Sequence, residues 1–387
     1  MADAMNDKTA IAGIGWTAFT RSSGTTVLNL ATQASLMAIE DAGLRVEDID
    51  GVVSYFHEKS TDTVAPSAIV ETLNIPDCRF HFFQDGGGSW NAAAVMSAAL
   101  LVHGGMCKNV LVYNARNRYS EGRRARPARA NDVTGADQFT TPYGAHHAAA
   151  SFGQYATAHM ARYGTTNLDF AYVAVTQRKH AMLNEKAMMR KPLTIEDHQS
   201  SRWIIYPYRL FDCCQETDGA VAMVVTSVER ARGLRHSPVH VLAGAQVTAH
   251  HRENDSRATV FESAGITPQD VDVAEIYDNF TFMCMKHLED FGLVPEGESA
   301  AWVKEGHSGL DGDLPVNTHG GLLSEAHFMG LNHVIEAVQQ LRAEGVVDDL
   351  CAGPHTYDRT VCRQVRDPEI AFVCGVLGGS SLLLRKG

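Results

Sequence analysis

The residues with the clearest capacity for chemistry lie in one short stretch, A-E-I-Y-D-N-F-T-F-M at 274–283. Glu275, Ile276 and Tyr277 have the pattern of the end of a buried strand. Asp278 or Asn279 is placed to cap a helix running from Phe280 towards Phe291, with Phe280, Met283, His287 and Leu288 on one side. A strand that breaks into a helix N-terminus delivers side chains and backbone N–H groups to one edge of a sheet, where ligands of α/β proteins sit. A plain strand-to-helix connection with Tyr277 hydrogen-bonded in the core would carry the same pattern.

Composition limits what such a site can serve. The chain has 387 residues, 45% apolar and 20% charged, enough for two units with their own cores. A net charge of −12 argues against a general nucleic-acid binder. One basic cluster, Arg116, Arg118, Arg123, Arg124, Arg126 and Arg129, suits a phosphorylated ligand, an acidic partner surface or a solvated loop. The cysteines (Cys78, Cys107, Cys213, Cys214, Cys284, Cys351, Cys362, Cys374) include no C-x-x-C pair. Neither a zinc site nor a secreted disulfide framework is expected, and a reduced, cytoplasmic protein is. The N-terminal M-A-D-A-M-N-D-K is no signal peptide, and no apolar run approaches the ~20 residues of a membrane span. Nucleotide fingerprints (G-x-G-x-x-G, P-loop) are absent.

The elements that must hold the 274–283 stretch follow from periodicity. A buried strand over residues 9–19 precedes a helix over 27–42, where Leu30, Ala34, Met37, Ala38 and Asp41 keep the three-four spacing and Gly43 suits the C′ position. Strands are predicted over 49–56, 80–83, 109–116, 219–227 and 239–248, with two more around Gly378-Gly379-Ser380-Ser381. Helices over 146–163 and 167–184 lie in a stretch, about 117–208, that interrupts the alternation as an insertion covering the site would. E-D-A-G-L-R-V-E-D-I-D at 40–50 and E-S-A-G-I-T-P-Q-D-V-D at 262–272 match at five identical and two conservative positions, offset by 222. That register sets Tyr55 opposite Tyr277. In addition, Gly86-Gly87-Gly88-Ser89 leads into a helix over 91–102, and Thr318–Leu322 (T-H-G-G-L) leads through Ser324–His327 (S-E-A-H) into one over 328–343. Two duplicated halves, 1–238 and 239–387, with parallel-rich sheets covered by helices, account for this order.

These motifs resemble the thiolase superfamily, nearest its sterol-carrier-protein-x thiolase-like branch. The carriers are D-G-G-G-S-W-N-A-A-A (85–94), F-D-C-C-Q-E-T-D-G-A (211–220), E-I-Y-D-N-F-T (275–281), N-T-H-G-G-L-L-S-E-A-H-F-M-G (317–330) and C-G-V-L-G-G-S-S (374–381). The resemblance implies an α/β thiolase fold of two βαβαβαββ halves in α-β-α-β-α layers, an acyl-CoA substrate and a homodimer. Thiolases keep a nucleophilic cysteine where this chain has about Gly87. No cysteine is near, and Ser89 has no visible helper base. His327 resembles the family's active-site histidine and Cys374 its second, acid/base cysteine, although a buried strand cysteine would read the same.

Loss of the nucleophile with a tyrosine at 277 resembles the acyl-CoA retro-aldolases of bacterial steroid side-chain degradation. Those enzymes cleave a β-hydroxyacyl-CoA to a ketone and a shorter acyl-CoA, such as propionyl-CoA or acetyl-CoA, and work with a small partner bearing an OB-fold and a zinc ribbon. The resemblance implies Tyr277 and His327 as base and acid, in either order. That branch carries a second tyrosine near the position of His327, from which this chain departs. Asp278, Asn279 and the backbone at Gly87, Gly88, Gly378 and Gly379 would hold the enolate oxygen or orient the pair. His319 suits a catalytic or a structural place. No metal, and no cofactor beyond the coenzyme A of the substrate, is expected. The alternatives are an acetyl-CoA acyltransferase using Cys374 or Ser89, and a non-catalytic acyl-CoA-binding, lipid-transfer-like subunit.

Overall fold

The computed structural model describes residues 6–56, 63–121, 133, 135–145, 147–247, 255–343, 350–351 and 357–387. The chain opens with β1 (Thr9–Trp16), α1 (Val27–Asp41), β2 (Gly51–Phe56), α2 (Pro66–Leu73), β3 (Phe80–Asp85), α3 (Asn91–His103) and β4 (Asn109–Asn117). Helices α4 (Ala148–Tyr163), α5 (Asn167–Met182) and α6 (Ile195–Ser200) and a small hairpin, β5 (Trp203–Ile205) with β6 (Tyr208–Arg209), precede β7 (Asp218–Ser227) and the one-turn α7 (Val228–Ala231). Then come β8 (Val239–Gln246), α8 (Asp255–Ala264), β9 (Val273–Glu275), α9 (Thr281–Asp290) and α10 (Ser299–Lys304). The chain closes with α11 (Gly321–Ser324), α12 (Leu331–Arg342), β10 (Ile370–Cys374) and β11 (Ser380–Lys386).

The large sheet has the order β3-β2-β4-β7-β1-β8-β11-β10-β9, and its pairings mirror each other about the β1–β8 contact. β1 and β8 are antiparallel to β7 and β11, which are antiparallel to β4 and β10, which are parallel to β2 and β9. The parallel β2–β3 ladder has its counterpart in a single parallel bridge, Ala274 to Val316. Polar contacts repeat as well. Asp50 accepts the N–H groups of Lys108 and Asn109 that open β4, and Asp272 accepts those of Glu369 and Ile370 that open β10. Gly43 and Gly265 end α1 and α8 at φ +72 and +70, the left-handed C′ geometry predicted for Gly43.

α1 covers β1, β4 and β7 on one outer face, and α8 covers β8 and β11 on the other. Between them α3 and α12 touch strands from both ends of the sheet. This is the α-β-α-β-α layering of the thiolase fold. Every residue of α12 is buried, as a central helix requires, whereas a surface helix would keep a polar face in water. α4 and α5, from the interrupting stretch, pack against α9, with α5 also against α10 and α11.

Three expectations need correcting. The helix after Tyr277 begins at Thr281, because Phe280 stays extended at φ −139, ψ 150, and neither Asp278 nor Asn279 caps it. The last central helix begins at Leu331 rather than Phe328, since the turn through Gly330 (φ +83) comes first. Cys351 and Cys362, opposed across an antiparallel bridge, are joined in a disulfide, so the expectation of eight reduced thiols fails at this pair. Of the arginine cluster, Arg123, Arg124, Arg126 and Arg129 lie outside the described residues, as does His146 of the predicted helix start. Among the described residues no helix is long and apolar enough to cross a membrane.

Candidate active site

Tyr277 stands just past the end of β9, and its backbone is pinned on both sides. The Asn317 side chain brackets Ile276, accepting from its N–H at 2.7 Å and donating to its carbonyl at 2.9 Å. The Tyr277 carbonyl accepts from Nδ1 of His287 at 2.9 Å. Burial pushes His287 down to about 4, so it holds this carbonyl as a neutral ring. The phenol ring then lies between two glycines. A Cβ at Gly88 would stand 2.2 Å from the Tyr277 hydroxyl, and one at Gly330 would stand 2.8 Å from the ring. Neither turn has room for another residue.

The hydroxyl of Tyr277 is 3.1 Å from Nε2 of His327, whose Nδ1 is 3.7 Å from the Cys214 thiol. The His327 N–H donates to Thr217 Oγ1 at 3.2 Å. Neighbouring chain fixes the loop around it: Met188 and Met189 donate to Glu325 and Ser324, and Gln215 donates to Leu322 and Leu323. Burial pushes the Tyr277 phenol well above its usual range and Cys214 adds to this, while the Arg116 guanidinium pulls it back. Burial also pushes the Cys214 thiol up to about 12, which keeps it neutral beside the imidazole.

The glycine turns predicted from sequence converge on the same place. Gly87 and Gly88 are buried in a turn that runs to Trp90, and the first N–H groups of such a turn have no partner within it. Gly379 abuts Ser89, with a Cβ there 2.7 Å from that of Ser89. The amides of Gly378 and Gly379 donate to Gly375 and Val376 and are therefore engaged in their own turn. Ser89 donates to the Val376 carbonyl at 3.3 Å. Cys374 is fully buried and burial pushes its thiol far up, as expected of a strand cysteine.

Asp278 is engaged with α11 and α12. Its carboxylate accepts from the N–H groups of Leu322 and Leu323 and lies 3.3 Å from Nε2 of His333, so it orients α11 and donates to no oxyanion. Asn279 is buried at 7% exposure, and its carbonyl accepts from the Cys214 N–H. His319 is fully buried behind Tyr277, 2.9 Å from Glu275. Burial opposes its charge, but Glu325 and Glu275 lift it to about 9.

Several partners carry no local sequence signal. Cys214 reaches His327 across 113 positions. Asn91, the first residue of α3, donates to the carbonyls of Cys374 and Gly330 and so ties both ends of the chain to the site. The C-C pair at 213–214 was a visible oddity. Tyr55 could be found through the repeat, and its hydroxyl donates to the Met329 carbonyl at 3.1 Å.

Comparison with known proteins fits this geometry. Residues 233–350 match the family described as "Thiolase C-terminal domain-like". The chain is 39% identical over 364 residues to the 17-hydroxy-3-oxo-4-pregnene-20-carboxyl-CoA lyase of Mycobacterium tuberculosis, covering 88% of this chain and 93% of that one. It is 36% identical over 359 residues to the steroid side-chain-cleaving aldolase of Thermomonospora curvata, covering 87% and 91%. A solved structure titled "Ltp2-ChsH2(DUF35) aldolase" superposes with a TM-score of 0.86 at 34% identity over 99% of both chains. The chain belongs to the thiolase superfamily, in the group that contains the steroid side-chain-cleaving aldolases.

Proposed function

We propose that this protein is a carbon–carbon lyase that cleaves the side chain of a steroid β-hydroxyacyl-CoA by a retro-aldol reaction, releasing a ketone and a shorter acyl-CoA. The observation that carries the reading is the Tyr277–His327 pair, 3.1 Å apart beside the buried Gly88, whose turn (residues 86–90) carries no cysteine. The names of the two relatives supply the substrate class.

In the tautomer with Nδ1–H towards Cys214, Nε2 accepts the Tyr277 proton and the resulting phenolate takes the proton of the substrate β-hydroxyl. The electron pair left on the hydroxyl oxygen forms the ketone C=O as the Cα–Cβ bond breaks. That bond's electrons move onto the thioester as an enolate, and the N–H groups of Gly87 and Gly88 are the donors best placed for its oxygen. The proton held by the pair returns to Cα, so atoms and charge balance without water, metal or an acyl-enzyme. Arg116 favours the transient phenolate. Tyr277 is the group that meets the substrate hydroxyl, and His327 stores its proton. Acyl transfer through Cys374 or Ser89 is disfavoured by the burial of the thiol and by the engagement of the serine hydroxyl with Val376.

A cytoplasmic homodimer flanked by two copies of a small DUF35-type subunit completes the reading, the partner following from the two-component title of the similar structure. The test is incubation of the protein, with and without such a subunit, with steroid β-hydroxyacyl-CoAs and simple 3-hydroxyacyl-CoAs. Ketone and shorter acyl-CoA in equal amounts are expected. An acyl-enzyme in the intact mass spectrum, or acetyl transfer to CoA, would replace the lyase reading with a thiolase one. Light scattering that finds only monomer at micromolar concentration would remove the dimer.

A further inference from the structure

Directly behind Tyr277 lie three fully buried residues the proposed reaction does not use: Glu275 at the end of β9, His319 before α11 and His333 in α12. Glu275 Oε2 is 2.9 Å from Nδ1 of His319 and 3.8 Å from Nδ1 of His333. One donor atom from each residue lies within 4.8 Å of the other two. Glu275 Oε2 and His319 Nδ1 face each other as an ion pair, and Nδ1 of His333 completes no hydrogen bond among the described residues. Buried polar atoms are almost always satisfied, so a buried ring nitrogen left open beside a carboxylate and a second imidazole calls for an occupant.

The outward nitrogens of both rings face carboxylates. Nε2 of His333 lies 3.3 Å from Asp278, and Nε2 of His319 lies 3.6 Å from Glu325. Those carboxylates are themselves held, Asp278 by the Leu322 and Leu323 N–H groups and Glu325 by the Asn184 and Asn332 amides. An imidazole with one nitrogen turned inward and the other towards an anchored carboxylate, as in His333, is the arrangement found around metal-bound histidines, while Nε2 of His319 also meets the Asn332 amide at 3.4 Å.

We propose that Glu275, His319 and His333 form a buried divalent-cation site whose two-nitrogen, one-carboxylate donor set suits zinc. Zinc bonds of about 2.0–2.1 Å set tetrahedral ligands roughly 3.3 Å apart, so a small swing of the His333 ring closes the set. The cation ties the end of β9 to α12 and fixes the backbone that carries Tyr277 two residues later. The ligands stand at 275, 319 and 333, a spacing with no short zinc motif, which is why the sequence pointed to no metal. This inference is independent of the reaction proposed above.

The test uses the full chain, free of any polyhistidine tag, passed through a desalting column in EDTA and assayed by plasma mass spectrometry. About one zinc per chain is expected, and His319→Asn and His333→Asn should each lose it while far-UV circular dichroism stays native. Because the site is closed, uptake is also measured by refolding the wild-type chain with and without zinc, with a higher Tm expected in its presence. Cobalt(II) added during refolding of the wild type should give visible d–d bands, a readout that does not need the variants to fold. A wild-type chain that holds no zinc as purified and gains neither metal nor Tm on refolding overturns the proposal. So do the absence of cobalt bands and an unchanged zinc content in folded variants.

Discussion

Tyr55 and Tyr277 stand at matching places in the internal repeat, yet their hydroxyls meet different chemistry: Tyr55 donates to the Met329 carbonyl, and Tyr277 meets the imidazole of His327. A carbonyl can only accept a proton bond, whereas an imidazole can exchange the proton. On the proposed reading, the repeat turned one of two equivalent tyrosines into a reactive group and kept the other as a strut.

Paired phenylalanine substitutions separate those roles. Tyr277→Phe keeps the ring between Gly88 and Gly330 and should lower kcat by roughly 10²–10⁴, with Tm little changed. Tyr55→Phe should leave kcat within a few-fold and cost about 1 kcal/mol of stability, one hydrogen bond. Steady-state kinetics and calorimetry on both variants check the contrast. The reverse pattern would make Tyr277 the strut and move the base elsewhere.

Gly88→Ala tests positioning without removing any reacting group. The new methyl would fall 2.2 Å from the Tyr277 hydroxyl, so the ring must shift, and a misplacement of about 1 Å can cost on the order of 10² in rate. Gly87→Cys should not restore thiolase activity, because a thiolate there lacks the surroundings that lower its pKa. Acetyl transfer between CoA thioesters by Gly87→Cys would show that the old thiolase site survives.

Much of this arrangement was legible from local pattern. Gly43 announces the end of α1, the offset of 222 finds both tyrosines, and the glycine turns around 87 and 378 do converge on the site. Asp278 misled because capping rules assume that a helix begins at once. Here the chain stays extended to Phe280, and the carboxylate turns back to α11. Cys214, Asn91 and His333 gave no sign of their partners, since each acquires them only when distant segments meet. The Cys351–Cys362 bridge escaped for the same reason: spacing alone does not reveal an antiparallel crossing.

Acid should weaken the fold through two buried neutral histidines. Burial depresses His180 and His287 to about 4, below the ~6.5 of an unfolded chain. Between those values the unfolded state binds more protons, so this contribution is complete above about pH 6.5 and is lost as pH falls towards 4. Each fully buried ring can account for on the order of 3 kcal/mol. Chemical denaturation at stepped pH should show the loss, and His180→Gln should flatten it. A denaturation midpoint that stays constant between pH 7 and 4.5 would show that these rings are protonated in the fold.

The division of labour between Tyr277 and His327 is best read from a double-mutant cycle. If the imidazole acts only by storing the phenolic proton, the two groups form one relay and their losses are not additive. His327→Gln should then slow turnover about as much as Tyr277→Phe, and the double variant should be scarcely slower than the worse single one. If the groups act separately, one as base and one as acid, the losses should multiply. Cys214→Ala supplies the control, because it leaves the Tyr277–His327 contact in place and removes only the thiol 3.7 Å from Nδ1. With the imidazole less firmly held, kcat should fall by a few-fold while KM holds, and Cys214→Ser, which restores a hydrogen-bonding group, should recover most of the rate. Multiplying losses in the Tyr277–His327 pair would leave the carbon–carbon lyase in place and assign the reprotonation of Cα to His327 alone.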